Sequence, residues 1–68
     1  MTNVEYAVVL GIKNAIQYEV TRYEGSLDYW TNGKGASTTN SKKSADFCKL
    51  RIAALKNALE QIDMLRPQ

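Results

Sequence analysis

A chain of 68 residues, 44% hydrophobic and 24% charged, makes one small domain, and a domain this size needs a staple, close helix packing or a second copy to bury enough surface. With no His and a single Cys, it excludes an intramolecular disulfide and any metal site built on those ligands, which leaves oligomerisation as the expected support. The net charge is only +2 but is segregated: residues 30–56 carry Lys34, Lys42, Lys43, Lys49, Arg51 and Lys56 against Asp46 alone, whereas residues 1–29 and 57–68 are both acidic.

No stretch reaches the ~18 consecutive apolar residues of a membrane span. The N-terminus lacks the basic segment, apolar run and small-residue cleavage site of a secretory signal. The lone thiol fits a reducing compartment, so a cytoplasmic protein that does not enter the membrane is expected.

In chain order, Thr2-Asn3-Val4-Glu5 has the spacing of a capping box, in which the Thr2 hydroxyl and the Glu5 carboxylate each accept from the other's backbone amide. The helical period then predicts a first helix over about 3–24. Val4, Val8, Ile12, Ala15, Ile16, Val20 and Tyr23 gather on one broad side, with Lys13, Asn14, Gln17 and Thr21 opposite. Gly25 is the expected left-handed end of that helix. Gly11, on the apolar side, reads either as a point of close approach by a neighbouring helix or as a tolerated glycine.

Asp28 to Lys43 holds the only Trp and a cluster of Lys. Asn32-Gly33, between a first arm rich in aromatic and β-branched residues and a weaker second arm rich in Gly, Ala, Ser and Thr, is the signature of a type I′ hairpin turn, which needs positive φ at both residues. A short β-hairpin turning there and an irregular loop are the two readings of residues 26–39.

A second helix is expected over about 44–66, starting at Ser44 with Asp46 in its first turn, or earlier at Ser41. Cys48, Ile52, Leu55, Leu59 and Ile62 alternate by four and three, the spacing of a narrow packing seam. Cys48 sits in that seam as a small hydrophobe rather than a reactive thiol. Pro67 is expected to stop the helix.

Folding these helices back on each other gives a mainly all-α single domain spanning 1–68, an antiparallel two-helix hairpin. The expected register sets Ile16 near Ile52, Ile12 near Leu55, Val8 near Leu59 and Val4 near Ile62. It also brings Glu19 and Arg51, two charges on apolar sides, together as a structural ion pair. The apolar side of the first helix is wider than one partner helix covers, so a homo-oligomer with a helical-bundle core is expected.

For function, no Ser or Cys has a base beside it and no two carboxylates pair, so no enzyme, catalytic residue, metal or cofactor is expected. Gly33-Lys34-Gly35-Ala36-Ser37-Thr38 lacks the spacing of a nucleotide-triphosphate loop, though its amides, hydroxyls and Lys34 have the chemistry of a simple anion site. Tyr29 and Trp30 beside Lys34, Lys42 and Lys43 are the candidate partner- or anion-binding residues. Aromatic anchors at a loop tip suit a protein hot spot; the alternative is single-stranded nucleic acid or a nucleotide, with bases stacked on Tyr29 or Trp30 and phosphates on Lys. The expected function is therefore a small, non-enzymatic, oligomeric interaction protein — an adaptor, inhibitor or assembly factor — that presents this tip to a protein partner. In layout and length alone it is similar to small phage head–tail joining proteins, and no residue role follows from that.

Overall fold

The computed structural model describes residues 1–65. Two long helices, α1 (Asn3–Thr31) and α2 (Ser41–Asp63), pack against each other and are joined by a single 3-10 turn (Lys34–Ser37). No strand occurs among the described residues. The chain is therefore all-helical and its architecture is a helical hairpin, 51 × 15 × 12 Å. The stop expected at Pro67 lies outside the described residues.

The capping box at the start of α1 is present in both directions: Glu5 N–H donates to Thr2 Oγ1 and Thr2 N–H to Glu5 Oε1, each at 3.1 Å. Those bonds with Thr2, backbone first and hydroxyl second, hold the Glu5 carboxyl below its ordinary value of 4.5.

Past this start the helix does not stop at Gly25. It runs on to Thr31, because Leu27 and Trp30 continue the packing period beyond the glycine and both are half-buried. Thr31 Oγ1 donates to the Leu27 carbonyl at 2.8 Å, and the end is closed at Asp28. Its carbonyl accepts from Asn32 N–H at 2.7 Å and Gly33 N–H at 3.0 Å, while its carboxylate accepts from the Asn32 amide at 3.0 Å. Asn32 has φ −122° and Gly33 φ −96°, so the positive φ values of a type I′ turn are absent and the β-hairpin reading is corrected to helix end plus 3-10 turn.

The start of α2 is also earlier than Ser44. The helix begins at Ser41 behind Asn40, which makes no side-chain capping bond, and its first turn holds no acidic residue. Asp46 therefore lies too far along to meet the positive end of the helix dipole.

The hairpin seam of α1 is Tyr6, Val9, Lys13, Ile16, Val20, Tyr23, Leu27 and Trp30, each at least partly buried and alternating by three and four. Against it lie Ala45, Cys48, Ile52, Leu55, Leu59 and Ile62 of α2, the stripe its spacing foretold. On α1 the apolar side is rotated from expectation. Lys13 lies in the seam, its stem along the interface and its ammonium on Asp63, while Val4, Val8 and Ile12 remain 75, 59 and 50% exposed. Gly11 has no atom within 4 Å of the place a Cβ would occupy, so it marks no close approach within the chain.

Extending α1 by seven residues moves the register. Arg51 stands beside Tyr23, its guanidinium carbon 5.7 Å from the ring centroid, one turn along α1 from Glu19. The Glu19 carboxylate instead meets Arg22 at 3.4 Å on its own helix. The expected Glu19–Arg51 clamp is therefore replaced. Among the described residues the inter-helix ion pairs are Lys13–Asp63 and Lys56–Glu24, and since all four side chains are 39–58% exposed, each contributes ~0–1 kcal/mol.

Two predictions test these local assignments. Gly25 lies inside α1 with open space at its Cβ position, so Gly25→Ala raises the unfolding free energy by about 1 kcal/mol in urea titration; a loss would mean that α1 breaks there. A carboxyl whose folded pKa lies below its unfolded one stabilises the fold above the unfolded value and loses that contribution as pH falls through the folded value. Circular dichroism should therefore show the first turn of α1 fraying on acidification below pH 4.5, and Glu5→Gln, which keeps the hydrogen bonds but does not titrate, removes that step.

Candidate binding site at the tip of the hairpin

The residues around the turn are organised by two aromatic rings on one glycine. Tyr29 and Trp30 meet edge to face, centroids 4.9 Å apart at 78°, and Gly35 of the 3-10 turn is buried against both. A Cβ on Gly35 would lie 2.6 Å from Trp30 Cε3 and 2.6 Å from Tyr29 Cε1. At Gly33 it would lie 3.0 Å from the Tyr29 backbone. Both glycines are thus present for lack of space rather than for unusual φ.

Two amides and two hydroxyls of the segment that suggested an anion site are used in closing this turn. Ala36 N–H donates to the Gly33 carbonyl and Thr38 N–H to the Gly35 carbonyl, both at 3.1 Å. The Ser37 and Thr38 hydroxyls donate to the Lys34 and Gly35 carbonyls at 3.2 and 2.8 Å.

Below the turn the two helices part around an open groove of about 540 Å³, lined by Tyr23, Ser26 and Trp30 of α1, by Asn40 ahead of α2, and by Lys43, Ser44, Phe47 and Cys48 of α2. Tyr23 and Phe47 meet edge to face at 6.4 Å. The Arg22 and Arg51 guanidinium groups lie 5.9 and 5.7 Å from the Tyr23 ring, within cation–π range. The groove is therefore an aromatic trough with a cationic margin, of the size that suits an inserted side chain or small ligand. No carboxylate lines it.

Of the five candidate binding residues, the fold brings Trp30 and Lys43 into this groove. Tyr29 lies across Gly35 and is 48% exposed, while Lys34 and Lys42 are exposed outside it. None of the three lysines joins an ion pair among the described residues. Sequence reasoning missed Tyr23 and Phe47. Tyr23 lies seven residues before Trp30, and Phe47 four after Lys43, so both share a helical face with a residue already singled out, but only a known register could bring the two faces together.

The distance from Gly35 to the rings gives a prediction. Gly35→Ala forces Tyr29 and Trp30 out of contact with the turn, with an expected loss of about 1–3 kcal/mol and a shift in the fluorescence of the single Trp. An unchanged spectrum and stability would show that the turn is not seated on the rings.

Among the described residues no three His, Cys, Asp or Glu side chains cluster where a metal ion could be held, and no helix is long and apolar enough to cross a membrane. No protein-family model, curated protein or solved structure matches the chain.

Proposed function

We propose that this protein is a small, non-enzymatic interaction module that works by association: first with itself, through the apolar side of α1 that the hairpin leaves uncovered, and then with a protein partner through its aromatic and basic tip. The observation that carries this reading is how little the hairpin buries. Val20, Ala45 and Cys48 are its only buried core residues among those described, whereas Val4, Val8, Ile12, Tyr18, Phe47 and Leu50 are 50–75% exposed. Scattered surface apolar residues are ordinary, but a contiguous apolar stripe marks an interface. Val4, Val8, Ile12 and Ala15 form one by helical spacing. The long side of the molecule, 51 × 15 Å, is on the scale of the ~800 Å² that each partner contributes to a stable interface.

A protein partner is favoured over nucleic acid or a nucleotide at the tip. Base stacking needs open ring faces and phosphates need several converging donors. Tyr29 and Trp30 are instead engaged with each other and with Gly35, and the Ala36 and Thr38 amides and the Ser37 and Thr38 hydroxyls are bonded within the turn. Half-exposed Tyr29 is the kind of aromatic residue that anchors protein interfaces, and Lys34 and Lys42 give it a charged rim.

Sedimentation equilibrium tests the association. The wild-type chain should sediment as a multiple of its 7.6 kDa at micromolar concentration, with a melting temperature that rises with concentration. Val8→Glu, a charge placed in the middle of the stripe, should give the monomer mass and abolish that dependence. A wild-type chain that is a stably folded monomer at every concentration would remove the proposal.

A further inference from the structure

The tip groove and the exposed stripe of α1 lie on one face of the helix, separated by the Glu19–Arg22 ion pair. Ile12, Glu19 and Ser26 are spaced by seven and so share a face of the helix, and Ser26 forms part of the groove wall. The stripe at the base of α1 therefore lies along the same long side of the hairpin as the groove near the tip.

We infer that the occupant of this groove is the Val4–Val8–Ile12 stripe of a second copy of the chain, laid antiparallel along that side. The lengths match. With α1 spanning Asn3–Thr31, full antiparallel overlap sets Val4 of one copy level with Trp30 of the other, Val8 level with Ser26, and Ile12 level with Arg22 and the neighbouring Tyr23. Three exposed aliphatic side chains thus meet the α1 wall of the groove, where Tyr23 and Trp30 supply the apolar surface and Ser26 lies between them. Two-fold symmetry repeats the match, so each copy fills the other's groove in a single self-complementary interface.

Charge selects this direction over the parallel one. Lys34, Lys42 and Lys43 crowd the tip, and none has an ion-pair partner among the described residues. Parallel packing would set two such clusters side by side, whereas antiparallel packing sends them to opposite ends of a 51 Å molecule, far beyond the ~10 Å reach of unscreened charge at ordinary salt. Tyr29, Lys34 and Lys42 stay uncovered at both ends, so the assembly would present two copies of the partner-binding tip.

This inference rests on the self-association reading, and cross-linking separates its failure from the failure of that reading. Val8→Cys and Ser26→Cys are made separately in a Cys48→Ala background whose helix content is checked by circular dichroism. If that background does not fold, wild-type Cys48, only 4% exposed, is kept and the unsubstituted chain serves as the blank. A short bismaleimide is added to each variant alone and to the two mixed. Antiparallel packing predicts a cross-linked dimer in the mixture and none from either variant alone, because in that arrangement residue 8 of one copy lies 18 positions, about 27 Å at 1.5 Å per residue, from residue 8 of the other. A dimer from Val8→Cys alone would establish parallel packing and overturn the inference while leaving self-association intact. Association by sedimentation without any cross-link would likewise overturn the arrangement. Monomeric sedimentation of the unsubstituted chain would overturn both.

Discussion

Everything in this structure follows from the thinness of a two-helix hairpin. Two helices side by side have one shared seam, and a layer 15 × 12 Å in cross-section cannot place a side chain more than one residue deep. The consequence is a core of Val20, Ala45 and Cys48, with every other seam residue only half-covered. Removing Val20 from water contributes ~1.5–3 kcal/mol, a large part of what so small a contact can supply. An additional covering layer is what such a chain lacks, which makes the uncovered side of α1 the physically expensive feature of the monomer.

The division of α1 into two stripes explains both its length and its odd residues. One stripe, from Tyr6 through Val20 to Trp30, faces α2, and its lysine is accommodated because a long aliphatic stem can cross the seam and place its charge at the edge on Asp63. The other, Val4 to Ala15, lies about a third of a turn away and faces outward. A helix with a single apolar stripe would need only one partner; this one has surface for two.

At the tip, steric fit takes the place of turn chemistry. Tyr29 and Trp30 are consecutive residues on the last turn of α1 and so cannot share a face, yet both reach Gly35 because the chain doubles back directly over the helix end. That seat fixes where α2 begins, and through it the register of the seam, the approach of Arg51 to Tyr23 and the opening of the groove between Trp30 and Phe47.

The sequence alone determined what depends on near neighbours. The capping box at Thr2 and Glu5, the existence of two helices though not their inner ends, and the α2 stripe from Cys48 to Ile62 are local consequences of hydrogen-bond spacing and helical period, and they stand as read. Only the tertiary structure decided the rest. Whether α1 ends at Gly25 depends on Leu27 and Trp30 finding α2. Whether Asn32-Gly33 turns a hairpin depends on rings that seat Gly35. Which of two apolar stripes becomes the seam depends on a register that the length of α1 sets. The first is a competition between a local preference worth about 1 kcal/mol and the burial of side chains across the hairpin, and burial prevailed; the last is a choice between two ways of burying apolar surface, which no local preference can make.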